Sequence, residues 1–277
     1  MRADLLPTIG PKPIRPLLVA SGKGGVGTSV TASLVALTAV ERGERVLLVD
    51  ATEGAGMIHQ LFGLRPERSL WQLYSTRVHP NEVVLSVTDQ FSVVAGGSSA
   101  GAEPPQDDQR RRNALSRIGE RYAEYDVVVI DGGSRLDTLS AVAELVDARL
   151  LLVTSADRFA LAANYAVVKA IGERMSDIDR FVLVNRHADS VAADASTFLS
   201  DACAHFLSRT VRFVGALPDD TCLQAAIGAG MSLQDALDGS PAAIAMRGIL
   251  PRFVPAPLGA LAVGSGAVVS PLLRRWS

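Results

Sequence analysis

The feature that most constrains the fold of this 277-residue chain is an alternation of short apolar runs with longer amphipathic stretches. Seven runs rich in Val, Ile and Leu have the length of strands buried on both faces of a sheet. They occupy residues 17–20, 45–49, 91–95, 126–130, 149–153, 181–184 and 211–215. Helical patterns lie at residues 28–42, 107–122, 136–146, 159–174, 192–207 and 219–228. The alternation predicts an α/β fold, with a doubly wound, mainly parallel sheet of about seven strands and helices on both faces.

The same pattern suggests how the chain is divided. No linker-like change of composition interrupts the alternation, so we expect one domain over residues 16–250. Residues 1–15 are rich in proline and lack the continuous apolar segment of a signal peptide, which favours a flexible arm. Residues 251–277 form an apolar tail, rich in Gly and Pro, that is a candidate for contact with a membrane surface or a partner.

Composition argues against several classes of protein. The chain is 48% hydrophobic and 20% charged, as soluble globular proteins are, and it has no run of eighteen apolar residues. A net charge of -2 gives no general attraction for nucleic acid, so no specific nucleic acid binding is expected. Two cysteines, Cys203 and Cys222, suit neither a disulfide framework nor a Cys metal site, and no two histidines have ligand spacing. These observations favour a cytoplasmic protein.

Residues 21–29 read SGKGGVGTS, a glycine-rich turn between the first run and the first helix. Such a turn points backbone N–H groups at phosphate oxygens, and the helix N-terminus adds partial positive charge. Ser29 stands where a hydroxyl ligates Mg²⁺. The phosphate-loop pattern G-x-x-x-x-G-K-[ST] is matched except that Thr28 replaces its lysine, while Lys23 comes five residues earlier. The glycines that supply the turn are Gly22, Gly24, Gly25 and Gly27.

Polar residues also follow the other apolar runs. Open parallel sheets bind their ligands outside the carboxyl ends of the strands. We therefore expect the functional side chains in the segments 22–29, 50–54, 131–135, 155–158, 185 and 218–220. The stretch GSSAG around Ser99 matches a hydrolase nucleophile elbow, but Glu103-Pro104-Pro105 follows where a helix should begin, which favours a loop.

The form K-G-G-V-G-x-[ST] resembles the deviant phosphate loop of the MinD/ParA family of P-loop ATPases. The likeness extends over residues 16–250, through VLLVDATEG, YDVVVIDGG, LVNR at 183–186 and GALPDD at 215–220. Within that family the chain is most similar to the flagellar-number regulators of the FlhG, FleN and YlxH group. The resemblance implies a P-loop NTPase fold of the SIMIBI, MinD-like type.

The resemblance also implies roles for the loop and the strand ends. ATP with Mg²⁺ would bind the loop, and Lys23 would reach across a nucleotide-dependent homodimer to the partner's phosphates. The residues implied in nucleotide binding are Gly22, Lys23, Gly24, Gly25, Val26, Gly27, Thr28, Ser29, Asn185, Pro218 and Asp220. Those implied near the metal are Ser29, Asp50 and Asp131, of which Asp131 is the Walker B carboxylate. Without the family, Asp50 would be interpreted as a loop residue or helix cap.

Two departures from the family pattern fall on positions that serve hydrolysis. Thr28 replaces the lysine that contacts the β- and γ-phosphates, and Thr52 replaces the aspartate that orients the attacking water. Glu53 is a candidate substitute for that aspartate. Arg135 brings a positive charge near the site, either in place of the missing lysine or as a solvated surface residue.

Two hypotheses therefore stay open. In the first, the chain is an ATP-binding switch with weak or absent hydrolysis, whose dimer binds a protein of a flagellar or other polar assembly and contacts the inner face of the membrane through its tail. In the second, it is a pseudo-ATPase scaffold or interaction protein that no longer binds nucleotide. Whether the chain is an enzyme depends on which hypothesis holds.

Overall fold

A single sheet organises the computed structural model, which describes residues 15–54, 56–97, 105, 107–145, 148–174 and 178–255. Within these residues the strands are β1 (Leu17–Ala20), β2 (Val46–Asp50), β3 (Val84–Thr88), β4 (Phe91–Val94), β5 (Val127–Gly133), β6 (Arg149–Thr154), β7 (Arg180–Asn185) and β8 (Arg212–Leu217). Their order across the sheet is β3-β4-β2-β5-β1-β6-β7-β8. Every neighbouring pair is parallel except β3 and β4, which form an antiparallel hairpin at one edge.

The seven predicted strands are present, and β3 is additional. The sequence prediction sought continuous buried runs, whereas β3 is an edge strand that alternates between half-buried and exposed side chains. Its pairing with β4 is what turns a sheet of about seven strands into one of eight. The predicted fold class, a doubly wound and mainly parallel sheet, is confirmed.

Helices cover both faces of the sheet. They are α1 (Thr28–Glu41), α2 (Ile58–Leu61), α3 (Asp108–Gly119), α4 (Leu136–Leu145), α5 (Arg158–Arg174), α6 (Asp189–Leu207), α7 (Thr221–Gly228) and α8 (Pro241–Ile249). Buried side chains of α1 and α8 share one core cluster, and those of α3, α4, α5 and α6 share the other. The six predicted helices are present, whereas α2 and α8 were not predicted. None of the helices in the described residues is long and apolar enough to cross a membrane.

The central strand β1 shows how the two cores meet. Leu17 and Val19 point into the cluster with α1, while Leu18 and Ala20 point into the cluster with α3 to α6. Side chains of one strand alternate between the two faces, so both faces of a central strand must be apolar. These strands are parallel, so the carboxyl ends of β1, β2, β5, β6 and β7 lie on the same side of the sheet. The loops that follow these strands converge there.

Candidate nucleotide-binding site

The loop between β1 and α1 has a backbone shape that glycine makes accessible. Gly25 and Gly27 have φ angles of 80° and 92°, in the left-handed region. A Cβ atom on Gly27 would collide with the side-chain amide of Asn185, and one on Gly22 would collide with the backbone of α5. The amide N–H groups of Gly24, Gly25 and Gly27 make no hydrogen bond to any described part of the chain. The loop therefore presents a run of unpaired donors.

Two buried side-chain amides, one from α5 and one from β7, anchor this loop. Asn164 of α5 accepts from Gly22 N at 2.9 Å and donates to the carbonyl of Val153 at 3.1 Å. Asn185, at the end of β7, donates to the carbonyl of Val26 at 2.8 Å. The loop is thus held at both ends by side chains from the sheet and its covering helix. The sequence analysis chose Asn185 but missed Asn164, whose signal is a lone amide within the apolar pattern of α5.

Lys23 pairs with an acid of its own chain. Its Nζ lies 3.2 Å from both carboxylate oxygens of Asp157, and both side chains are about half exposed. Asp157 also accepts from the Ser155 hydroxyl and from the N–H groups of Phe159 and Ala160 at the start of α5. The bonds from Ser155 and Ala160, with Lys23, lower the pKa of Asp157 to about 2. An exposed pair of this kind contributes little to stability and exchanges readily for another partner.

Asp50 and Asp131 face each other across β2 and β5, and both are fully buried. Asp50 Oδ1 accepts from the N–H and the hydroxyl of Thr52, at 3.0 and 2.5 Å, and Oδ2 from two N–H groups at the start of α2. Asp131 Oδ1 accepts from Gly133 N at 3.0 Å. Asp131 Oδ2 is buried and has no hydrogen-bond partner among the described residues. One oxygen of the pair therefore keeps its capacity to accept a hydrogen bond or to bind a cation.

Burial and proximity act on the protonation of this pair. Burial raises the pKa of Asp50, and burial together with the charge of Asp50 raises the pKa of Asp131 to about 7. The Ser29 hydroxyl lies close enough to Asp131 to lower that pKa in part. A hard divalent cation would relieve both the repulsion and the unpaired oxygen, so Ser29, Asp50 and Asp131 fit Mg²⁺. The described residues contain no cluster of three or more His, Cys, Asp or Glu that could hold a metal, so phosphate and water would complete the shell.

The segment after β2 is bound tightly to its surroundings. The carbonyl of Thr52 accepts from Trp71 Nε1 and from Gly97 N, both at 2.9 Å. The Glu53 carboxylate is 7% exposed and accepts from Arg111 Nε at 2.5 Å and from the Thr138 hydroxyl at 2.7 Å. The carboxylate is thus engaged by α3 and α4. Its substitution for the missing aspartate stays a prediction, and it would require release from both partners.

Thr28 occupies the position of the missing loop lysine, and Arg135 is the candidate to replace its charge. Thr28 is the first residue of α1 and is buried at 9% exposure. The Arg135 side chain is 62% exposed, with its Nε 3.6 Å from Glu53 and an Nη 3.8 Å from Asp137. Arg135 is therefore directed at carboxylates of its own surroundings, in agreement with a solvated surface residue.

The turn from Pro218 to Asp220 stands after β8. Asp220 is buried and caps α7 through Leu223 N at 2.9 Å, while its other oxygen accepts from the Ser240 hydroxyl at 2.6 Å. This carboxylate therefore ties α7 to the start of α8. A contact of Pro218 and Asp220 with the nucleotide base stays a prediction.

The doubly wound sheet and the glycine-rich loop after β1 define an α/β protein of the P-loop type, and comparison with known proteins supplies its family. The chain belongs to the CobQ/CobB/MinD/ParA nucleotide binding domain family, whose pattern matches residues 17–233. It is 25% identical to the antiactivator FleN of Pseudomonas aeruginosa over 252 residues, which cover 90% of this chain and 89% of FleN. It is 20% identical to the flagellum site-determining protein YlxH of Helicobacter pylori over 210 residues, 75% of this chain and 71% of YlxH. The resemblance to the MinD/ParA family is thereby confirmed.

A solved structure shares the fold. The septum site-determining protein MinD of Pyrococcus horikoshii, complexed with Mg-ADP, superposes with a TM-score of 0.69 at 16% identity and covers 87% of this chain and 96% of its own. At 16% identity, this likeness shows only that the two proteins share a fold.

Proposed function

We propose that this chain is a switch that binds ATP with Mg²⁺ at residues 22–29 and hydrolyses it slowly or not at all. The observation that carries the proposal is the combination of unpaired loop N–H groups with the unpaired, buried oxygen of Asp131. The first set suits phosphate oxygens, and the second suits a cation bound to those phosphates. Mg²⁺ when bound would neutralise phosphate charge, with Ser29, Asp50 and Asp131 holding it.

Slow hydrolysis follows from the two altered positions. Phosphoryl transfer depends on positive charge at the transferring group and on a residue that orients the water. Thr28 offers no charge, and the Thr52 hydroxyl donates to Asp50 instead of holding a water. Lost transition-state contacts raise the barrier to hydrolysis by several kcal/mol, while ground-state binding suffers less. Bound ATP would therefore persist.

We further propose that nucleotide favours a face-to-face homodimer in which Lys23 exchanges Asp157 for the partner's phosphates. The exposed position of this ion pair supports the exchange, because little has to be disrupted. The dimer would then bind a protein of a flagellar or other polar assembly. Similarity to FleN and to a flagellum site-determining protein supports regulation of flagellar number or placement.

The location proposed for the protein is the cytoplasm, with contact to the inner face of the membrane through residues 251–277. Most of this tail lies outside the described residues, as do the arm at residues 1–14 and the loop around Ser99. The division into arm, domain and tail is likewise our proposal.

Calorimetric titration with ATP, with and without Mg²⁺, tests the switch, with light scattering on the same samples. We expect Mg²⁺-dependent binding with a Kd in the micromolar range, about -8 kcal/mol, and dimer formation. Lys23→Ala should keep binding and lose the dimer, while Lys169→Ala, the matched control on α5, should keep both.

The competing scaffold hypothesis rests on Thr28, because a loop without its lysine has lost one phosphate contact. Absence of binding at millimolar ATP would contradict the switch and leave the scaffold.

A further inference from the structure

A polar cavity lies beside the amino ends of β7 and β8, at the end of the strands opposite to the loop after β1. It has a volume of about 460 Å³. We call it the basic pocket, and its lining residues are Ile178, Asp179, Arg180, Ser208, Arg209, Thr210 and Arg212. Because β7 and β8 run parallel to β1, this pocket is separated from the loop after β1 by the length of the strands. It is therefore independent of the candidate nucleotide site.

Three elements bring guanidinium groups to this pocket. Arg180 is the buried first residue of β7 and donates to the carbonyl of Ile178 at 3.0 Å. Arg209, between α6 and β8, donates through Nη2 to the carbonyl of Gly172 at 3.1 Å. Arg212 begins β8, and its Cζ lies 4.7 Å from the centre of the Phe181 ring. A guanidinium carries five N–H donors, so the hydrogen bonds of Arg209 and Arg212 leave donors directed at the pocket or the solvent.

The described residues that line the pocket carry more positive than negative charge. Beside Arg209 and Arg212, Asp179 is the one acid among these described residues. Asp179 is moreover shared, since it lies 3.3 Å from Arg212 and 3.4 Å from Arg15. Like charges held this closely favour an added anion.

We propose that the basic pocket binds a compact phosphate-bearing anion. Guanidinium groups match phosphate oxygens with paired N–H donors, and they do so better than a point charge would. Ser208 and Thr210 add hydroxyl groups from a turn whose shape is fixed by Ser208 at a φ of 54°. The concave shape suits a dissolved phosphate compound or a single lipid headgroup, which share this chemistry.

Amide chemical shifts of the ¹⁵N-labelled full chain, titrated with inorganic pyrophosphate in the absence of Mg²⁺, test the proposal. Shifts at residues 208–212 report the basic pocket, and shifts at residues 22–29 report the loop separately. We expect the 208–212 amides to titrate with a Kd of about 1 mM or tighter at low salt. A 208–212 segment that stays unmoved both here and with vesicles containing phosphatidylglycerol overturns the proposal.

Two variants that each remove one arginine test whether binding depends on the pocket. Arg212→Gln removes one guanidinium that caps no helix, and we expect it to weaken binding at 208–212 about tenfold. Arg110→Gln removes an equal charge from the exposed start of α3 and should leave binding unchanged. Equal affinities in Arg212→Gln and Arg110→Gln would contradict the pocket. Shifts with phosphatidylglycerol vesicles and none with pyrophosphate would support a headgroup as the source, provided that Arg212→Gln abolishes them.

Discussion

The loop after β1 and the segment after β2 lie at the same edge of the sheet, separated by β5, but they use their polar groups differently. The loop is anchored by Asn164 and Asn185, while the N–H groups of Gly24, Gly25 and Gly27 make no hydrogen bond to the described residues. In the segment after β2 the polar side chains are already engaged, because the Thr52 hydroxyl donates to Asp50 and the Glu53 carboxylate accepts from Arg111. In the proposed function, phosphate binding and hydrolysis would therefore depend on separate parts of the site, so that one could be altered while the other is kept.

We expect the greatest loss of stability when the ion pair that holds the segment after β2 is removed. Arg111→Met would remove the buried guanidinium that binds the carboxylate of Glu53 and leave only the more distant, exposed Arg135, which costs about 3 kcal/mol in the free energy of unfolding. Chemical denaturation measures this. Arg110→Met removes an exposed neighbour and should cost less than about 1 kcal/mol. Equal losses in the two variants would mean that Arg111 does not hold the segment.

The next effect is a gain of hydrolysis. Thr28→Lys combined with Thr52→Asp restores the charge and the water-orienting acid, and we expect phosphate release to rise about 100-fold. Thr28→Met with Thr52→Asn is the matched control, with similar volumes and no charge. If phosphate release by the Thr28→Lys, Thr52→Asp variant stays at the rate of this control, the two altered positions are not what limits hydrolysis.

A smaller effect tests the shape of the loop. Gly27→Ala places a Cβ against Asn185 in a left-handed conformation, so ATP binding should be lost together with about 1–2 kcal/mol of stability. Gly43 has a φ of 86°, and a Cβ atom added there would meet no described atom within 4 Å, so Gly43→Ala carries the backbone strain alone. Calorimetry with ATP on both variants distinguishes strain from collision, because only Gly27→Ala should lose binding.

The smallest effect concerns Lys23. Asp157→Asn keeps an oxygen for the N–H groups of α5 but removes the charge, which releases Lys23. Dimerisation with ATP should strengthen about threefold, since exposed ion pairs contribute little. Asp126→Asn breaks a comparable exposed pair with Arg45 at the far edge of the sheet and should change nothing. Sedimentation equilibrium measures both, and identical dimer affinities would argue against a restraining role for Asp157.

Much of the fold follows from the sequence because strands buried on both faces leave continuous apolar runs. The edge strand β3 was missed although residues 83–87 read VVLSV, and its side chains are half-buried or exposed instead of buried on both faces. The helix α8 was missed although Ser240 and Pro241 are a typical helix start. Within the candidate site, Gly22 to Ser29 and the two aspartates were chosen because each follows an apolar run, and their roles stay a prediction. Asn164 and Asp157 were missed as partners of the loop, and Arg111 as the partner of Glu53, because those contacts join residues more than fifty positions apart.

The proposed function requires that this chain binds ATP and hydrolyses it slowly or not at all. The most direct measurement is a single-turnover experiment, in which excess protein is mixed with radiolabelled ATP and Mg²⁺ and the bound nucleotide is analysed over time. We predict that protein-bound nucleotide remains ATP while the Thr28→Lys, Thr52→Asp variant converts it to ADP. Rapid conversion by the unaltered chain would contradict the claim, as would the absence of any bound nucleotide.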